Sequence, residues 1–114
     1  LQQARLKLAT IERALVNDLM ESQARVDKAR ETLADVRQEV KLQRELLEIK
    51  EVEYRRHKVG LRAILEQENQ LNESRQRYID SITRLKRAQV ELGVTENTLL
   101  DQYLAPGDLE IKMD

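Results

Sequence analysis

The sequence predicts an all-α protein, a long antiparallel coiled-coil αα-hairpin. Three observations carry this. No Gly or Pro occurs from Leu1 to Val59. Apolar residues in that stretch recur at steps of three and four, the spacing of a coiled-coil seam. One glycine, Gly60, then stands near the middle of the chain, and a second helical pattern follows it.

The first helix is expected over 1–59. Its stripe runs Leu8, Ile11, Leu15, Leu19, Ser22, Val26, Ala29, Leu33, Val36, Val40, Gln43 and Leu47. A helix of that length would extend about 90 Å and needs a partner along all of it. The tip is expected at 58–63. A returning helix follows at 64–104, with a possible break near Gly93. Its stripe is read as Leu71, Tyr78, Ile82, Leu85 and Leu92, interrupted by Arg75 and Gln89, with Leu99 and Tyr103 beyond the break. Pro106-Gly107 is expected to stop this helix, leaving 105–114 as a C-terminal tail.

Charges fit helices. Glu21/Arg25, Glu51/Arg55, Glu73/Arg77 and Asp80/Arg84 are spaced i,i+4 with the acid first, a pattern of solvated helix faces. Gly60 is expected to make the reversal by adopting positive φ. A fold-back there sets residues whose numbers sum to about 121 opposite one another. Val36 then lies near Leu85, Leu33 near Ala88, Ala29 near Leu92 and Val40 near Ile82, and residues before about Leu15 overhang.

Composition narrows function. The 114 residues are 36% charged and 3% aromatic, with no Phe, Trp or Cys. That composition suits long helices rather than an aromatic-cored globule. A net charge of −1 with interspersed signs gives nucleic-acid binding little support. No apolar run approaches the roughly 18 residues of a membrane span. The chain starts without an initiator Met or a signal peptide, which reads as a fragment or a processed piece.

No nucleophile elbow, phosphate loop or HExxH is present, so neither an enzyme nor a cofactor is expected. His57, the single histidine, lacks Cys or His partners for a metal site; Glu53 and Glu66 are its candidate acidic neighbours in the fold. Val16, Met20, Leu42, Leu46, Ile49, Val52, Ile64, Leu65, Ile79 and Val90 fall outside the seam. They widen the apolar face and predict packing into a larger helical bundle or tunnel. At the tip, Val59 and Leu61 lie between Lys58 and Arg62. That arrangement either caps the seam or offers a docking point for a partner.

The stretch EYRRHKVGLRAILEQENQLNESRQRYIDS, Glu53 to Ser81, resembles the TolC-type outer-membrane efflux proteins. VGLR, Val59 to Arg62, is similar to that family's hairpin turn, and LEQENQL, Leu65 to Leu71, to the run that opens its returning helix. Two departures stand out. The segment between Gly60 and LEQEN is about three residues shorter than that family usually has. His57 also stands where the family can use a gate tyrosine.

The resemblance implies the periplasmic hairpin of an efflux or type I secretion conduit in a Gram-negative envelope, trimeric in the full protein. The family joins such hairpins to an outer-membrane β-barrel; no stretch of about ten alternating residues reads as a barrel strand here, so the chain would be one hairpin of such a protein. The tip residues Lys58, Val59, Gly60, Leu61, Arg62 and Ala63 would meet a periplasmic adaptor that leads to an inner-membrane pump. His57, Arg62 and Glu66 become gate candidates. ILEQENQLNES is also similar to the hairpins of HlyD-like adaptors, although an Arg, Leu and Ser pattern spaced seven apart is missing. A structural coiled-coil scaffold is the third reading.

Overall fold

A computed structural model describes residues 2–103, and the expected stop at Pro106-Gly107 and the tail lie outside them. The fold is all-α: helix α1 spans Gln2–Arg55 and helix α2 spans Leu61–Tyr103, packed as an antiparallel hairpin. The chain divides into two compact units. One is Ala29–Leu85 and holds the turn; the other joins Leu1–Lys28 to Lys86–Asp114. Gly93 does not interrupt α2.

Both helices follow an unbroken heptad. On α2 the large residues Ile64, Leu71, Tyr78, Leu85, Leu92 and Leu99 occupy one seam position, called a here. Gln67, Ser74, Ser81, Ala88 and Thr95 occupy the other, called d. On α1 the a residues are Leu19, Val26, Leu33, Val40 and Leu47, and the d residues include Ser22, Ala29, Val36 and Gln43. This corrects the seam expected for α2. Ser74 is 0% exposed and Ala88 8%, whereas Arg75 and Gln89 are exposed. Ile64, expected outside the seam, belongs to it.

The physical reason is steric. Small side chains at d let two helices approach closely, so Ser22, Ser74, Ser81 and Ala88 are buried alongside the apolar a residues Val26 and Leu71. The buried hydroxyls are satisfied locally. Ser74 Oγ donates to the Leu71 carbonyl (2.7 Å) and Ser81 Oγ to the Arg77 carbonyl (2.8 Å). Among the described residues no buried side-chain polar atom lacks a partner.

The register also differs from expectation. Arg25 pairs with Glu91 at 3.5 Å and Glu39 pairs with Arg77, and both pairs of numbers add to 116. Ser22 Oγ lies 3.3 Å from Thr95 Oγ1, a pair adding to 117. The expected sum near 121 took Gly60 as the pivot. The connection is Arg56–Gly60, centred on Lys58, and these cross-helix pairs all fall below 121, down to 110 for Gln43 and Gln67. Arg25 and Arg77, expected to pair along their own helices with Glu21 and Glu73, reach across to the other helix instead.

Within the unit that contains both chain ends, every side chain from Gln2 to Ala14 is exposed, including Leu6, Leu8 and Ile11. The overhang expected before about Leu15 is therefore present among the described residues. Of the apolar residues expected outside the seam, Val16, Met20, Leu42, Ile49, Val52, Leu65, Ile79 and Val90 are exposed, and Leu46 is half-buried.

Candidate functional site at the hairpin tip

α1 ends in a Schellman motif. The amide of Lys58 donates to the Glu53 carbonyl (2.8 Å) and that of His57 to the Tyr54 carbonyl (3.0 Å). The Arg56 amide still makes a helical bond to Val52 (3.1 Å). This closure needs a left-handed residue just past the helix, and His57 supplies it with φ of 60°. Histidine is among the few side chains that visit this region with some frequency.

The expectation that Gly60 supplies the positive φ is therefore wrong, because no described glycine has positive φ. Gly60 instead precedes α2 as its N-cap, its carbonyl accepting the Ala63 amide at 3.2 Å. A Cβ built on Gly60 would meet nothing within 4 Å.

These two caps display the tip side chains. Lys58, Leu61 and Arg62 are exposed, Leu61 at 57%, while Val59 and Ala63 are half-buried. The apolar pair therefore divides: Val59 leans on the protein and Leu61 points into solvent. The Arg62 side chain is 93% exposed and its Nε lies 3.6 Å from Glu66 Oε1, one helical turn on. Of the three gate candidates, Arg62 and Glu66 come together. His57 is exposed and has no ion pair with either. Among the described residues no group of three or more His, Cys, Asp or Glu could hold a metal ion.

A polar layer that sequence reasoning missed lies just below the tip. Gln67, 8% exposed, donates through Nε2 to the Gln43 carbonyl (3.1 Å) and to Gln43 Oε1 (2.6 Å). The signal was available: Gln67 lies four residues before Leu71 and seven before Ser74, on the heptad.

On the outer face of α1, Glu45, Glu48, Ile49, Val52, Glu53, Arg56 and Lys58 line a shallow groove that runs towards the turn. No described helix is long and apolar enough to cross a membrane. No protein-family model, curated protein or solved structure matches the chain.

Proposed function

We propose that the chain is a helical docking hairpin, the periplasmic hairpin of an outer-membrane efflux or secretion conduit whose tip meets an adaptor protein. The observation that carries the reading is the position of VGLR. Val59 to Arg62 falls at the reversal between α1 and α2, with Leu61 and Arg62 exposed where a partner would reach them. An apolar side chain beside an exposed guanidinium gives a docking point both contact area and direction.

The mechanism is mechanical. Helices packed side by side form the wall of the conduit, and tips held by polar links close it at rest. Adaptor docking spreads the tips by a small shear between packed helices. Arg62 and Glu66 are the link residues, since their mutual pair is exposed and exchangeable for pairs between subunits. In this scheme Arg62 swaps Glu66 for an acidic group on the neighbouring tip or on the adaptor.

A second reading, the hairpin of a HlyD-like adaptor, is favoured by the unbroken heptad on both helices, which forms a two-stranded seam of its own. One experiment separates the two. The chain has no cysteine, so Lys58→Cys, on an exposed residue beside Leu61 and Arg62, installs a unique cross-linking site at the tip. In cells expressing the full reading frame, the conduit reading expects the cross-link to capture a protein anchored in the inner membrane. The adaptor reading expects capture of a β-barrel protein of the outer membrane. Cross-linking only to cytoplasmic proteins would overturn both and leave a scaffold.

A further inference from the structure

The two flanks of the seam in the unit Ala29–Leu85 are unlike each other. Glu39 and Arg77 pair across one flank, each standing immediately before an a residue. The other flank carries the residues four after each a residue. On α1 these are Arg30, Arg37 and Arg44, and on α2 Arg75 stands at the equivalent place between the levels of Arg37 and Arg44. All four are exposed, and none has an ion pair or side-chain hydrogen bond among the described residues. Three arginines spaced seven apart form a straight row along a coiled-coil helix.

The floor beside this row is apolar and open. The small residues Ser74 and Ser81 are buried, but Leu33, Val40, Leu47, Tyr78 and Leu85 are only half-buried. Leu71 is buried among them, so the accessible apolar surface on the arginine side comes from the five half-buried residues.

We infer that this face is a docking groove for one amphipathic helix from a partner, with an apolar stripe flanked by Asp or Glu. Charge complementarity selects that occupant. An acidic flank would neutralise the unpaired arginine rim. A second copy placed with α1 against α1 would set one row of arginines against another, a like-charge arrangement that is disfavoured, and placed with α1 against α2 would offer that row only Glu68 as a carboxylate on the flank. Towards the tip the rim changes sign at Glu51 and Glu68, both exposed. The docked helix therefore carries carboxylates along about two heptads and a cation at the end nearest the turn. The groove lies away from Leu61 and Arg62, so this inference stands whether or not the tip binds an adaptor.

The test uses the 114-residue chain and two synthetic peptides of about 21 residues, three heptads long, identical in their Leu and Ile stripe. One is flanked by Glu, the other by Lys, and binding is read by fluorescence anisotropy. The Glu peptide should bind at least about tenfold more tightly than the Lys peptide at low ionic strength, with the gap narrowing as salt rises. The variant R30E/R37E/R44E, checked for an intact helical melt by circular dichroism, should reverse the preference. Equal binding of the two peptides, binding of neither, or a preference unchanged in the variant would overturn the inference. So would a homodimer of the wild-type chain that the triple variant abolishes.

Discussion

Gln67 Nε2 donates to both the backbone carbonyl and the side-chain oxygen of Gln43, so one amide joins the two helices by two hydrogen bonds below the turn. A Gln of ordinary hydrophobicity is thereby buried to 8% exposure in the seam. Such a layer fixes register more than it adds stability, because a slipped pairing would bury the amide without its partner.

Gln67→Ala should lower stability by about 1–2 kcal/mol, since it removes the bonds and leaves the Gln43 amide without its partner. The double variant Gln43→Leu/Gln67→Leu should melt at a higher temperature yet pair in more than one register. Urea unfolding measures the first effect. Spin-label distances between positions 39 and 77 measure the second, as a broadened distribution. A double variant with one sharp distance would show that the glutamines do not set register.

Ser74 and Arg75 separate the two seam assignments. Ser74→Leu forces a branched side chain into a site with 0% exposure and should cost about 1–3 kcal/mol. Arg75→Leu alters an exposed position and should change stability by no more than about 0.5 kcal/mol. Thermal melts of the two variants provide the check, and the opposite order would restore the stripe through Arg75 and Gln89.

This pair also shows what the sequence makes legible. The hairpin, the overhang and α1's seam follow from the spacing of Leu, Val and Ala. The α2 seam is not legible from apolarity alone, because three of its buried d positions, Gln67, Ser74 and Ser81, are polar. Close backbone approach selects Ser74 and Ser81, and the hydrogen bonds to Gln43 hold Gln67 there. The turn was misread for a related reason. Gly60 is the residue expected at positive φ, yet the Schellman closure falls where α1 ends, and α1 ends at Arg55.

At the turn, His57→Gly should stabilise the hairpin by about 1 kcal/mol, because it relieves the left-handed conformation of a residue with a Cβ. His57→Val should destabilise it by at least as much, a β-branched side chain being poorly tolerated there. Gly60→Ser should be neutral or stabilising by a few tenths of a kcal/mol, because a serine hydroxyl is a better N-cap and a Cβ meets nothing within 4 Å. Chemical denaturation of the three variants gives the ranking. A severe loss in Gly60→Ser would return the pivot to Gly60.

Gly93 lies inside α2 with open space where a Cβ would stand. Gly93→Ala should therefore raise stability by about 0.5–1 kcal/mol by limiting the unfolded chain and favouring helix. Amide hydrogen exchange around residues 90–97 should slow in parallel. If exchange and melting are both unchanged, the helix already frays there, and the glycine marks a working hinge rather than a tolerated defect.

Arg62 is the residue through which the tip's function can be separated from its fold. Its side chain is 93% exposed and its one ion pair, with Glu66, lies on the same helix. Such an exposed pair contributes little to folding. Arg62→Ala should leave the helical circular dichroism signal and the melting temperature nearly unchanged, while weakening capture of a partner at the tip. Glu66→Gln tests the pair from its other end. It frees Arg62 without deleting it, so a docking role for the guanidinium expects capture to persist or increase, whereas a closed-gate role for the pair expects leakage through the assembled conduit. A large loss of helicity in Arg62→Ala would instead make the residue part of the α2 start, and the tip would then be only a turn.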